Sequence, residues 1–358
     1  MSRALAIQAV ALAAALIWAY LLAHPSKDKP TAAAGKIEIW RVEPGEVRSI
    51  TVQEAQAKVV LEPREPFEDE KPYLWVRTET QRRRPRRKPK GPETPKDQPR
   101  EAPADPPETE AKTETAEFKG NRQAERALAA LATLSAQRRV GALAELDGAD
   151  FGFPSDNAYI SIERTGGGEP LRIELGSVTF GNAGRYVHFP RDGAVYLVKS
   201  ALTQNLKRPA RRLVDREMFP YRAGTAERVE LRMGSKVASF WRLIDTDSQS
   251  GEWATSPGAE NPDEAVQEWI RDLAKLKVDG YVGGGESDQE ATGEEATGEA
   301  ALEVRLFRED RPALSLHFLR ESDGAWIAKS TYTRAPVKVN GALAATLIEK
   351  GRSLLQDR

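Results

Sequence analysis

The stretch RYVHFPRDGAVYLV, residues 185–198, sets one of the chain's three histidines, His188, among Arg185, Arg191, Asp192 and Gly193. An imidazole beside a carboxylate and guanidinium groups is the material of acid–base or nucleophilic chemistry. The same letters also write a β-hairpin. YVHF and AVYLV alternate or carry β-branched residues, and Arg191-Asp192-Gly193 is a set that tolerates positive φ in a tight turn. The other histidines bring no partner: His24 flanks a long apolar run and His317 sits between Leu316 and Phe318 on an alternating segment. The sequence holds no G-x-S-x-G elbow, no histidine pair one helical turn apart, no Walker loop and no G-x-G-x-x-G opening a helix. The expectation is therefore a chain that is not an enzyme, uses no cofactor and binds no metal, with the His188 hairpin serving as structure.

Composition narrows the partners that the scaffold around this hairpin can take. The 358 residues carry 53 basic and 54 acidic side chains, a formal net charge of −1, so no global field draws in nucleic acid. The absence of cysteine excludes disulfides, thiolate zinc sites, a cysteine nucleophile and a lipidated N-terminal cysteine. Residues 4–23 are uncharged and almost wholly apolar, and about 20 such residues are what a helix needs to cross a bilayer. Trp18 and Tyr20 stand near the end of this run, where aromatic rings favour the membrane interface. Residues 1–24 read as a membrane anchor, with cleavage near TAAAG (residues 31–35) left as the alternative fate. Lys27, Lys29 and Lys36 after the run outnumber Arg3 before it, which argues mildly against export. A tail this short gives the positive-inside bias little to count, so an exported body remains the expectation.

The body reads as two similar α+β modules, residues 37–212 and 213–358, related by an internal duplication. VRSITV (47–52), KVVL (58–61) and the strand around Trp75 are matched by ERVELRM (227–233), KVASFWRL (236–243) and the strand around Trp253. A helix then begins at Asn121 in one half and at Asn261-Pro262 in the other. Ala124, Ala127, Leu128, Leu131 and Leu134 line one face of the first, and Val266, Trp269, Ile270, Leu273 and Leu276 line the second. Beyond the helices, Ile160, Ile162, Leu171 and Ile173 align with Val304, Leu306, Leu314 and Leu316. Tyr186, Val198, Leu202 and Leu206 align in turn with Trp326, Val339, Leu343 and Leu347, which sets His188 opposite Ala328.

Only the first half carries an insertion, about residues 80–119, in which proline and charge displace apolar residues, so it reads as a disordered loop. Its basic run supplies Arg82, Arg83, Arg84, Arg86, Arg87, Lys88 and Lys90, a candidate contact for anionic lipid or envelope polymer. No aromatic residues interleave these cations, so nucleic acid is not expected as the partner. A second low-complexity loop, about residues 284–300, lacks the spacing of a calcium loop.

The membrane helix, strand pair, tryptophan strand and helix, followed by LRIELG (171–176), RYVHF, GAVYLVKSAL (193–202) and LVDREMF (213–219), resemble domain-of-unknown-function family 4340. Its members accompany gliding-motility-type ABC transporter systems as accessory proteins. The resemblance implies a non-enzymatic, single-pass protein of the bacterial inner membrane, with most of the chain periplasmic and an ABC ATPase and permease as partners. It implies no catalytic or binding residue. A cell-envelope polymer-binding or scaffold protein is the alternative.

Overall fold

The computed structural model describes residues 36–65, 72–85, 109–155, 157–204, 206–221, 225–243, 251–282, 301–309, 311–321 and 324–356. The apolar run at 4–23, most of the insertion and the 284–300 loop lie outside these residues, as does His24.

The chain is mostly β with few helices, arranged as two large antiparallel sheets. It opens with β1 (Ile37–Arg41), β2 (Val47–Glu54), β3 (Ala57–Arg64), β4 (Tyr73–Pro85) and β5 (Thr109–Lys119). Helix α1 (Arg122–Ala132) follows, then β6 (Thr133–Ala136), β7 (Arg138–Ala142) and the short α2 (Gly148–Phe151). Next come β8 (Tyr159–Arg164), β9 (Leu171–Val178), β10 (Gly184–Phe189) and β11 (Ala194–Lys199), then two short helices, α3 (Ala201–Gln204) and α4 (Pro209–Arg212). The second half contains β12 (Arg228–Met233), β13 (Lys236–Leu243), β14 (Glu252–Ala254), α5 (Glu264–Leu273) and β15 (Val278–Tyr281). It closes with β16 (Leu302–Arg308), β17 (Arg311–Arg320), β18 (Trp326–Ser330), β19 (Val337–Val339) and the long helix α6 (Gly341–Gln356).

One order of strands serves both halves. The first sheet runs β5-β4-β3-β2-β8-β9-β10-β11-β7 and the second β14-β13-β12-β16-β17-β18-β19-β15, so each strand of the second has a counterpart in the first and β5 alone is extra. The registers agree as well. Ile160 faces Ile173 and Ile162 faces Leu171 in the first sheet, while Val304 faces Leu316 and Leu306 faces Leu314 in the second. These apolar residues are all buried. Burying each such side chain is worth about 1.5–3 kcal/mol, and a slip of one residue would turn the whole set outward, which is why the ladders lock in the same way.

Two pairings differ from the sequence reading by a single residue. Val187, opposite Leu175 and Tyr196, matches Ala328, opposite Phe318 and Val337, so the counterpart of His188 is Lys329 and not Ala328. A bulge between Arg185 and Val187 shifts the frame that the aromatic pair Tyr186 and Trp326 had suggested. Likewise Trp253, opposite Arg242, matches Leu74, opposite Pro63, and not Trp75. Leu74 and Trp253 each belong to their own half's core, whereas the Trp75 ring meets Tyr281 edge-on at 6.1 Å.

The insertion is also more ordered at its ends than composition suggests. β4 continues through Thr80 to Pro85, with every residue in register against β5, so the expected loop gives way to a two-stranded arm at both flanks. Among the side chains described on this ladder, Arg77 and Glu117 form a cross-strand ion pair (2.8 Å).

The helix starts show how alike the modules are and where they part. Asn121 caps α1, its side chain accepting from the N–H groups of Gln123 and Ala124. The cap of α5 is Asp263, accepting from Ala265 and Val266, and not Asn261. Pro262 confines the residue before it to extended backbone, and the Asp263 N–H is bonded to the Trp253 carbonyl (2.8 Å), so the helix begins two residues later than the Asn-Pro pair suggests. Asp263→Ala is expected to lower stability by about 1 kcal/mol, while Asn261→Ala, at an exposed position, changes it by less than about 0.5 kcal/mol; urea unfolding midpoints check both.

Candidate functional site

The hairpin that holds His188 disperses its reactive groups. Nδ1 of His188 lies 3.1 Å from Oε2 of Glu174, its cross-strand partner, and the ring edge meets Phe153. Asp192 is spent on the turn, accepting from the Ala194 N–H (2.9 Å) and the Tyr196 hydroxyl (2.5 Å). Burial, and then the bond to this carboxylate, raises the Tyr196 hydroxyl above its ordinary pKa. Arg185 reaches elsewhere, to Glu54, the Gly176 carbonyl and the Thr203 hydroxyl, and Arg191 pairs with Glu169 at 3.6 Å. The matching pair in the second sheet is Lys329 opposite His317. Both modules thus place polar side chains at this point of the ladder, and the first module's pair is an imidazole with a carboxylate.

Of the basic run, Arg82, Arg83 and Arg84 stand in β4 opposite Lys112, Ala111 and Glu110. Arg86, Arg87, Lys88 and Lys90 lie outside the described residues.

A buried polar assembly that sequence reasoning did not single out lies where the modules meet. Lys119 closes β5, and the chain between the modules returns to it: Gly120 and Val214 form a bridge and the Asp215 N–H donates to the Lys119 carbonyl (2.8 Å). Lys119 is 7% exposed and Asp215 8%. From the second module Tyr332 donates its hydroxyl to Oδ2 of Asp215 (2.8 Å), and its carbonyl accepts from Nζ of Lys119 (3.1 Å). That same ammonium stands 3.0 Å from the centre of the Tyr332 ring and 3.7 Å from the Asp215 carboxylate. Tyr281 completes the group, its hydroxyl reaching the Asp215 carbonyl (3.4 Å) and its ring packed between Trp75 and Phe118.

Electrostatics follow from this burial. Loss of hydration pulls the Lys119 pKa down to about 8 against the opposing pull of Asp215. Burial first, and the same carboxylate second, pushes the Tyr281 and Tyr332 hydroxyls far above the ordinary tyrosine range. Both tyrosines therefore stay neutral and act as donors. The one signal in the sequence was the LVDREMF segment, which contains Asp215; Lys119, at the end of a charged strand, reads as solvent-facing until the second module is laid over it.

The junction is fastened further along the connector. Asn121 uses its amide nitrogen to bond the Arg212 and Val214 carbonyls (2.9 and 3.0 Å) while its oxygen caps α1. Asp263, the cap of α5, offers only acceptor oxygens, which serve Ala265 and Val266. Glu217 bridges to Lys277 in the backbone and pairs with its ammonium, so the connector enters the second module as β1 enters the first, where Glu38 faces Ser135.

A cleft of about 600 Å³ opens beside α4 in the first module. Val52, Val59 and Ala116 line its floor, and the bend from Leu206 to Arg211 forms one wall.

The model of the family described as Domain of unknown function (DUF4340) matches residues 113–296. That span begins in β5, crosses the connector and includes Lys119, Asp215 and Tyr281. No curated protein and no solved structure matches the chain.

Proposed function

The chain belongs to the DUF4340 family, and from that membership we propose that it is a non-enzymatic, membrane-anchored accessory subunit of an ABC transporter system of gliding-motility type. In this reading residues 4–23 form a single-pass anchor in the bacterial inner membrane, and the two modules, products of an internal duplication, stand on the periplasmic side.

The observation that carries the proposal is the pairing of one strand order in both sheets with a buried polar junction between them. A duplicated sheet doubles the surface that can meet a partner, and a junction of low exposure holds the two surfaces in a fixed relation. Such a body suits a part that positions other subunits. The committed state of the His188 hairpin supports the same reading, since its carboxylates and guanidinium groups are each engaged in separate directions.

Affinity purification of the full-length protein from detergent-solubilised membranes tests it. The expected result is co-purification of an ATP-binding protein and a multi-span permease in constant ratio to the chain. Recovery of the chain alone, or with envelope polymer in place of these subunits, overturns the transporter reading and favours an envelope scaffold.

A further inference from the structure

Two departures of the first module from the shared plan shape its cleft. β4 runs well past the point where its counterpart β14 stops at Ala254, and β5 is added outside it, with α4 packed against β5. The helical segment after β11 is also broken. Where α6 runs unbroken from Gly341 to Gln356, the first module has α3, a bend and α4, with Pro209 at the start of α4. Arg208, just before it, adopts left-handed backbone (φ 57°, ψ 56°) with no capping bond from its side chain. A non-glycine residue in that region costs on the order of 1 kcal/mol or more, which the fold accepts at the mouth of the cleft.

Chemistry divides the cleft into two parts. Val52, Val59, Ala116, Leu206 and Pro209 give it an apolar inner part, interrupted by the hydroxyls of Thr78 and Thr203. At the bend stand Lys207, Arg208 and Arg211, all exposed and without an ion-pair partner among the described residues. Of the acidic residues on the facing side, Glu54 is neutralised by Arg185, and Glu114 stands on the β5 wall. The volume falls within the range of about 300–1,000 Å³ typical of small-molecule sites.

We propose that this cleft binds an anionic amphiphile, its apolar chain lying on the floor and its carboxylate or phosphate head meeting Lys207, Arg208 and Arg211. The inference is independent of the transporter reading. An apolar chain gains from the inner part in proportion to the area it removes from water, and cations with no ion-pair partner among the described residues contribute to the head group without breaking a salt bridge to any of these.

Calorimetric titration of the full-length protein in a non-ionic detergent with decanoate, decyl phosphate, decyl maltoside and inorganic phosphate tests this. One-to-one saturation by decanoate or decyl phosphate, at least ~10-fold tighter than by decyl maltoside or inorganic phosphate, is expected. Which anion wins distinguishes a fatty acid from a phospholipid-type head, and either supports the site. Ala57→Trp, which narrows the cleft, and the double variant Lys207→Glu/Arg211→Glu are each expected to weaken binding at least ~10-fold. Equal binding of anionic and neutral probes, phosphate binding as tight as decyl phosphate, no saturable binding of either anion, or unchanged affinity in both variants overturns the proposal. Circular dichroism and the urea midpoint confirm that each variant is folded, and the exposed double variant keeps the test decisive should Ala57→Trp misfold.

Discussion

Asp215→Ala is expected to lower the unfolding free energy by about 3–5 kcal/mol near neutral pH, among the largest losses from any single substitution in the chain. The reason is the ammonium it leaves behind. Lys119 is 7% exposed and has no other carboxylate within ion-pair distance among the described residues, so removing Asp215 strands a buried positive charge and orphans the Tyr332 hydroxyl. The Glu217 N–H also loses its acceptor (3.1 Å). The loss should depend on pH in a direction fixed by the lysine. Its folded pKa of about 8 lies below the value of about 10.4 for a free lysine, so between these limits the unfolded chain binds more protons and the group's contribution to stability rises with pH. Without Asp215 the folded pKa falls further, because the carboxylate had opposed the effect of burial. The difference between wild type and variant is therefore greatest in mildly acidic solution, narrows as the pH rises to about 8 and stays smallest above it, where Lys119 is neutral in both and needs no counter-charge. Urea unfolding at about pH 6.5 and pH 9.5 reads this directly. A penalty that grows with pH would contradict the assignment of the ammonium as the stranded group.

Trp269→Ala is the second large effect, at about 3–5 kcal/mol. The indole is fully buried in the second core, and its Nε1 donates to the Leu347 carbonyl (2.8 Å), tying α5 to α6. Truncation removes the largest side chain of this contact, leaves a cavity under α6 and breaks the bond between the helices. Trp269→Phe should restore about half of the loss by refilling most of the volume without the donor. In the first module the aligned residue is Ala127, and Trp40 from β1 plays the comparable part, its Nε1 donating to the Leu131 carbonyl (2.8 Å). Hydrogen exchange checks the prediction: amides of α6 should lose protection in Trp269→Ala and regain much of it in Trp269→Phe.

Much of the fold could be read from apolar periodicity. The strands around Ile50, Ile160 and Ile173, the stripe of α1 and the parallel order of the two halves all follow from residues that must face a core. The single-residue errors arose where a residue's type and its direction part company. Tyr186 and Trp326 look alike in sequence, but the ladder is framed by Val187 and Ala328, the buried pair, and a bulge next to them hides the shift. Trp75 reads as a core tryptophan like Trp253, yet it faces the junction. The junction itself was illegible because its burial depends on residues more than 90 positions apart, Lys119, Asp215 and Tyr332, whose local surroundings are those of ordinary surface strands and turns. The cleft was hidden for a similar reason, since it depends on a helix break and a strand extension that meet only in three dimensions.

The two modules are joined as one body through Asp215. The chain has no cysteine, so spin labels can be placed without background on the exposed Val178→Cys and Val237→Cys, one in each sheet. Electron–electron dipolar measurement on this doubly labelled protein is predicted to give one narrow distance distribution that broadens when Asp215→Ala is added. A broad or two-peaked distribution with Asp215 in place would contradict it.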